Sequence, residues 1–286
     1  MPRYLVAQSE RPEERERRRR RAGKSSGETY AATLSQLCPG ASVDIVSPAD
    51  ASAGPFAAAD LIRYDAILLT GSPMHVYDDA PDVRRQLAFM RAVFASGVPS
   101  FGSCAGLQVA TAAAGGRVRK MPERLEAGVA RRIAATDAGR AHPLLEGRPA
   151  AWDAPAIHGD EVEELPAGAT LLASNGVTRV QAAEICHDRG VFWGVQYHPE
   201  LSIEEVALAL RDSAGDLVEA ELAGSECEVQ AHVDDLLALH AHPDDRAVRW
   251  RLGVDGEFAE ERRRRCELTN FLRHAPALRN AAPVAA

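Results

Sequence analysis

Residues 99–108 read Pro99-Ser100-Phe101-Gly102-Ser103-Cys104-Ala105-Gly106-Leu107-Gln108, a short apolar strand that runs into Gly-x-Cys-x-Gly and then into an Ala-rich helix. A strand feeding a helix through a tight turn is the building step of a parallel α/β sheet. The glycines flanking Cys104 remove the Cβ atoms that a sharp strand-to-helix corner cannot hold, and they leave the central side chain exposed. The start of the helix points free N–H groups and a positive dipole end at the same corner, which favours a thiolate and later an oxyanion. Taken alone, the stretch reads equally as a buried small apolar cysteine or as a nucleophile. The second reading needs a base from elsewhere in the chain.

Working outward, the same alternation of strand and helix recurs. Tyr4-Leu5-Val6-Ala7 reads as a first strand, Glu28 to Leu37 as a helix, Ser42 to Val46 as a second strand and Ala66-Ile67-Leu68-Leu69 as a third, ending in Thr70-Gly71-Ser72-Pro73. Pro81 precedes a helical spacing of Val83, Leu87, Met90, Val93 and Phe94, which delivers the chain to the strand at 98–103. Such alternation predicts a doubly wound, mostly parallel sheet. After Gly115-Gly116 a β-rich half follows, with strands expected at Val129 to Ala134, Ala156 to Val162, Thr170 to Ser174, Val180 to Ile185 and Val191 to Tyr197. From Ile203 the pattern is helical, with Leu217, Leu222, Val233, Leu236, Leu237 and Leu239 at apolar positions. The expected organisation is one α/β domain over 1–211 with a β-rich extension, a helical appendage over 212–275, and a flexible tail over 276–286.

The composition narrows the function. With 286 residues, 46% of them hydrophobic, and a formal net charge of -8, the chain suits a soluble globular protein whose main partner is not nucleic acid. Arg15 to Arg21 and Arg262 to Arg265 are arginine-rich, but both runs lie among glutamates and read as solvated helices with intrahelical ion pairs. Gly23-Lys24-Ser25 has the ending of a phosphate-binding loop, yet Arg18 stands where that loop needs a glycine. Five scattered cysteines without Cys-x-x-Cys spacing argue against a disulfide framework or a zinc ribbon. His232, His240 and His242, beside Asp234, Asp235, Asp244 and Asp245, read as solvated polar residues rather than a metal site. No metal and no cofactor is expected. With no apolar leader core and no apolar run long enough to span a bilayer, no membrane partner is expected and the cytoplasm is the expected compartment.

A base for Cys104 lies in Gly194-Val195-Gln196-Tyr197-His198-Pro199-Glu200, at the end of the last strong strand. His198 and Glu200 are i and i+2, so on an extended backbone their side chains leave the same face, and Pro199 keeps His198 out of the helical region. A carboxylate there fixes the imidazole tautomer while the imidazole takes the thiol proton, the Cys-His-acid form of a triad. The same residues alone also read as a His-Pro turn with a surface glutamate.

Together, Gly102-Ser103-Cys104-Ala105-Gly106-Leu107-Gln108 and Gly194-Val195-Gln196-Tyr197-His198-Pro199-Glu200 resemble the class I (triad) glutamine amidotransferases. Thr70-Gly71-Ser72-Pro73 looks like the oxyanion loop of that family, and Ile157-His158-Gly159-Asp160-Glu161-Val162 is similar to the His-Gly-Asp-x-Val segment of its GMP-synthetase-type members. The resemblance spans residues 4–211 and implies a flavodoxin-like fold. It implies Cys104 as nucleophile, His198 as general base and acid, and Glu200 as orienting carboxylate. It further implies an oxyanion hole from the N–H groups near Gly71 and Ser72 and of Ala105, with Gln108 near the bound glutamine. His158 and Asp160 border the pocket on this reading, or simply form a strand-to-loop turn with a capping aspartate. The implied chemistry is hydrolysis of the γ-carboxamide of glutamine, or of a γ-glutamyl amide, through a γ-glutamyl thioester. No synthetase motif accompanies these segments, which leaves delivery of ammonia to a separate synthetase subunit and hydrolysis of γ-glutamyl amines as two readings. Two more stand beside them. One is a non-catalytic regulatory or scaffolding protein that docks a partner through the appendage. The other is a protease- or glyoxalase-like enzyme of the same architecture, against which Ala105 stands where a histidine is expected.

Overall fold

The computed structural model describes residues 1–122 and 125–280. Eleven strands are present among them: β1 (Arg3–Ala7), β2 (Ser42–Val46), β3 (Ala66–Leu69), β4 (Ser100–Ser103), β5 (Arg117–Lys120), β6 (Glu126–Ala135), β7 (Ala151–His158), β8 (Asp160–Glu164), β9 (Ala169–Ser174), β10 (Ala182–His187) and β11 (Gly190–Val195). Nine form one sheet in the order β2-β1-β3-β4-β11-β10-β9-β6-β7, and β5 pairs with β8 apart from it. From β2 to β11 neighbouring strands run parallel, whereas β10, β9, β6 and β7 continue the sheet antiparallel. The β-rich half is therefore a direct extension of the parallel sheet, and the α/β fold is the one expected.

The central strands are apolar because both faces of the sheet are covered. Tyr4 and Val6 of β1 pack into one layer with Tyr30 and Leu34 of the helix Ser26–Leu37. Leu5 and Ala7 face the other layer, built on the helices Pro81–Ser96 and Ala105–Ala113. Register then decides where chemistry can sit. Leu69 pairs with Gly102, Gly102 with Gly194, and Ser103 with Val195, so β3, β4 and β11 end side by side. The loops leaving their carboxyl ends meet at one edge, where ligands of such sheets bind.

Three expectations change. The single strand read over 156–162 is two: β7 ends at His158 and β8 starts at Asp160 in the other sheet. At Gly159 an added Cβ would lie 2.7 Å from Leu125 Cδ2, so the turn closes tightly there while the apolar alternation runs on without a break. The N-terminal arginine run forms the helix Pro12–Ala22, but only Arg20–Glu16 at 3.4 Å is an intrahelical pair. Arg15, Arg18, Arg19 and Arg21 reach instead to Asp50, Glu205, Glu28 and Asp212, clasping the helix to the rest of the chain. Finally, the last helix runs from Cys266 through Asn280 with Pro276 inside it, so the tail expected from 276 is helical as far as 280; residues 281–286 lie outside the described residues.

The helical region does not stand apart from the sheet. Val206, Leu210, Val229, Val233, Leu236 and Leu239 form a cluster that includes Val129 of β6. Leu268, Phe271 and Ala275 of the last helix return to the sheet layer that holds Phe101 and Trp193. Arg148, Glu257, Glu267 and Tyr197 fasten that return with buried bonds of 2.7–2.8 Å. Among the described residues no helix is long and apolar enough to cross a membrane.

Candidate active site

Cys104 is the residue between β4 and the helix Ala105–Ala113, with φ +51° and ψ −113°. A non-glycine residue held at positive φ is strained and persists only when its surroundings over-determine it. Here they do: the Cys104 N–H donates to the Val195 carbonyl at 2.9 Å, and the Cys104 carbonyl accepts from Gln108 N–H at 3.2 Å. Gly106 has no room for a side chain, because an added Cβ would sit 2.6 Å from the Leu69 carbonyl oxygen. The corner read from the sequence is thus built by close approach of β3, β4 and the helix. Ala105 opens the helix and its N–H belongs to the first turn, where no intrahelical acceptor exists.

His198 lies three residues past β11 and its N–H donates to the Pro155 carbonyl at 2.7 Å. Its Nδ1 donates to Glu200 Oε1 at 2.7 Å, which leaves Nε2 as the free ring nitrogen. The pairing comes about differently from the extended geometry expected. Pro199 and Glu200 form a turn, in which Leu201 N–H donates to the His198 carbonyl at 3.4 Å, and the turn swings the carboxylate back to the ring. Burial disfavours the charged ring, but Glu200 and the neighbouring Cys104 outweigh it, and the His198 pKa is pushed up to about 10.

Cys104, His198 and Glu200 line one cavity of about 430 Å³. Gly71 and Ser72 line it too, and an added Cβ on Gly71 would stand 2.7 Å from His198 Cε1 and 3.4 Å from Cys104 Cβ, so that backbone abuts both side chains. Gln108 is buried in the wall and donates to the Asp160 carbonyl at 3.0 Å and to Gln196 Oε1 at 3.3 Å. His158 and Asp160 are brought to the same cavity. The Asp160 carboxylate clasps the loop after β3, bonding His75 Nδ1 at 2.7 Å and the Tyr77 hydroxyl at 3.0 Å. His158 places Nδ1 at 2.9 Å from the Asp160 carbonyl and Nε2 at 2.9 Å from Glu126, so both ring nitrogens face acceptors. Burial raises the Glu126 carboxyl pKa, but bonds from His158, Asn175 and Gln181 outweigh that and hold it below its usual value. Cys104, His198, Glu200, Gly71, Ser72, Gln108, His158 and Asp160 therefore all line this cavity, while Ala105 is placed next to it only by following Cys104.

Sequence reasoning missed several partners. Glu126 carries no motif and is assembled by strand pairing. Arg18 and Arg21 enter the cavity wall from the helix Pro12–Ala22, whose composition signals only charge. Leu201, Leu210 and Leu217 line the cavity as well, and in the sequence they read as ordinary core. Ser103 Oγ bonds Glu200 Oε1 at 3.0 Å and the Tyr30 hydroxyl at 2.6 Å. A second cavity, of about 950 Å³ between β6 and the helix Glu226–Ala241, shares Leu125, Ala127, Leu210 and Leu217 with the first but holds none of the Cys104 constellation. Among the described residues no three His, Cys, Asp or Glu side chains gather as a metal site. Asp235 binds Arg251 instead, and Asp245 caps the helix Arg246–Leu252.

With a thiol on a strand-to-helix corner and a histidine-carboxylate pair lining one cavity at the carboxyl edge of a mostly parallel sheet, the protein falls in the doubly wound α/β class. Within it, the chain belongs to the glutamine amidotransferase class-I family, whose model matches residues 29–211. A γ-glutamyl-L-1-hydroxyisopropylamide hydrolase from a Pseudomonas species is 45% identical over 181 residues, 62% of this chain and 60% of that protein. The glutamine-hydrolysing GMP synthase of Wolinella succinogenes is 38% identical over 151 residues, 52% of this chain and 27% of that protein. The chain thus spans less than two thirds of the length of these curated relatives. In fold it is similar to a glutamine amidotransferase from Thermotoga maritima, with a TM-score of 0.62 at 14% identity, over 94% of this chain and 98% of that one.

Proposed function

We propose that the protein hydrolyses the γ-amide bond of γ-glutamyl amides, with Cys104 as nucleophile, His198 as general base and acid, and Glu200 as orienting carboxylate. The observation that carries this reading is the Nδ1 bond from His198 to Glu200 at 2.7 Å, made in the cavity that the strained Cys104 corner faces. Cys104 Sγ attacks the γ-carbonyl carbon, and the oxyanion that forms is met by N–H groups at Gly71 and Ser72 and at Ala105. Each such donor contributes about 2.7–4 kcal/mol in enzymes that use them. His198 then gives its proton to the departing nitrogen, leaving a γ-glutamyl thioester. Water attacks the thioester, His198 takes its proton, and glutamate leaves as Cys104 is restored.

The γ-glutamyl group is assigned to the side of Ser72, Gln108, His158 and Asp160. The leaving amine is assigned to the part of the cavity where Leu201, Leu210 and Leu217 supply aliphatic wall. Ammonia has no carbon to fill such a wall, so a substituted amine is the favoured leaving group, in line with the amide named for the Pseudomonas relative. Ammonia transfer to a separate synthetase subunit is the second reading, and the likeness to GMP synthases favours it. All five cysteines are free thiols, which suits a reducing compartment such as the cytoplasm.

The test is release of glutamate from glutamine and from a panel of N-alkyl γ-glutamyl amides, with Cys104→Ala as control and a thiol-directed glutamine analogue as label. Turnover that is lost in Cys104→Ala, faster on substituted amides than on glutamine, supports the proposal. No turnover on any member and no labelling of Cys104 refutes it, and leaves the non-catalytic reading standing.

A further inference from the structure

Glu200 is bound from two sides, and the second side has no place in the triad. His198 Nδ1 and Ser103 Oγ both donate to the same carboxylate oxygen, Oε1, at 2.7 and 3.0 Å, while the buried Oε2 has no hydrogen-bond partner. A carboxylate only accepts, so the Ser103 hydroxyl spends its single proton on Glu200. Its lone pairs are then all that remain for Tyr30, and the Tyr30 hydroxyl, 2.6 Å away, is the donor in that bond. Burial and the nearby Glu200 charge push the Tyr30 pKa well up, so the phenol keeps its proton. The direction of the whole chain follows from chemistry: Tyr30 gives to Ser103, Ser103 gives to Glu200, and Glu200 faces His198.

We propose that Ser103 and Tyr30 are positioning residues for the triad, a two-hydroxyl relay that holds Glu200 in the one orientation that serves His198. The proposal rests on the functional reading above. Three separate elements meet here. Ser103 ends β4 directly before Cys104, Tyr30 stands on the helix Ser26–Leu37, and Glu200 follows β11. The relay therefore ties the strand that carries the nucleophile to the carboxylate that orients its base. A hydroxyl at the fully buried position 103 costs free energy unless it is hydrogen-bonded, and both of its bonds lead into this chain. With both donors on Oε1, rotation of the carboxylate breaks two bonds rather than one. Bonds in series also polarise one another, so the Tyr30 bond strengthens the bond that Ser103 gives to Glu200.

The test is the effect of Ser103→Ala, Tyr30→Phe and the double variant on hydrolysis of the best γ-glutamyl amide. Ser103→Ala is expected to lower kcat about 10- to 100-fold with KM within about twofold, because the ground-state contacts of the substrate are untouched. Tyr30→Phe is expected to lower it about 3- to 10-fold, and the double variant to be no slower than Ser103→Ala, as groups acting in series require. Ser103→Thr, which keeps the hydroxyl, is expected to restore most of the rate. Unchanged kcat in Tyr30→Phe, or a double variant whose losses multiply, overturns the relay. So does an equal loss in Ser103→Thr. Should Ser103→Ala fail to fold, Tyr30→Phe removes one oxygen only and decides the matter by itself. The low-field proton signal of His198 Nδ1–H supplies a readout independent of turnover: it shifts in Tyr30→Phe if the relay acts on Glu200 and stays put if it does not. A wild type that hydrolyses no γ-glutamyl amide refutes the functional reading, while that proton signal still decides the relay.

Discussion

Placing one methyl group on Gly71 tests the site at its tightest point. The added Cβ would stand 2.7 Å from His198 Cε1, 3.4 Å from Cys104 Cβ and 3.6 Å from His198 Nδ1. Relieving 2.7 Å to the 3.4 Å of an ordinary contact requires a displacement of about 0.7 Å. The imidazole has little freedom to supply it, since Nδ1 is held by Glu200 and the His198 N–H by Pro155, both at 2.7 Å. If the ring yields, it leaves its alignment with the thiol; if the loop yields, its N–H groups leave the oxyanion. Misplacement near 1 Å costs about 100-fold, and loss of an oxyanion donor costs about 100- to 1,000-fold, so Gly71→Ala is expected to lower kcat about 100-fold by either route. Gly71 is not in the left-handed region, so the alanine adds no backbone strain. The forced displacement is expected to lower stability by about 1–3 kcal/mol in urea titration, the usual cost of an overpacked buried contact. Glutamate release measured under saturating γ-glutamyl amide reads the first effect. A Gly71→Ala protein with the wild-type kcat would refute both the placement of His198 and the assignment of this loop.

Three further outcomes are expected. Arg148 is buried between Glu257 and Glu267 at 2.7–2.8 Å, so Arg148→Met leaves a fully buried Glu267 without its cation. A loss of about 3–5 kcal/mol in urea titration is expected, and a loss under about 1 kcal/mol would show that the C-terminal helix is not anchored there. The His198 pKa, pushed up to about 10 from the ordinary 6.5, gives a pH signature. The stabilisation is complete below about pH 6.5 and fades as pH rises through about 10, so the stability gap between wild type and His198→Asn is expected to close over that window. A gap that does not change between pH 7 and pH 10.5 removes the ion-pair account. Leu217→Ala opens the wall assigned to the leaving amine and is expected to raise KM for N-alkyl γ-glutamyl amides about tenfold relative to glutamine. An equal rise for glutamine would place the amine elsewhere.

How much of this was legible in the sequence depended on how far apart the cooperating residues lie. The all-buried run Ala66–Leu69 and the glycines around Cys104 announce themselves locally, because a central parallel strand must be apolar throughout and a tight corner excludes Cβ atoms. His198 and Glu200 are two residues apart, and even the turn that replaced the expected extended backbone kept them paired. Ser103, Tyr30 and Glu200 lacked that advantage. Tyr30 and Ser103 are 73 positions apart and Ser103 and Glu200 are 97 apart. Tyr30 sits among Leu34 and other apolar residues on its helix face, where a tyrosine that only fills space looks the same as one that aims its hydroxyl at a buried serine. Ser103 stands in the corner motif only as the neighbour of Cys104, and nothing in a one-dimensional pattern says that strand pairing with Val195 will carry its hydroxyl beside the loop that holds Glu200. Ring packing and hydroxyl direction are set by different atoms of the same side chain. Periodicity reports the first and is blind to the second, so the helix was readable while the relay it carries was not.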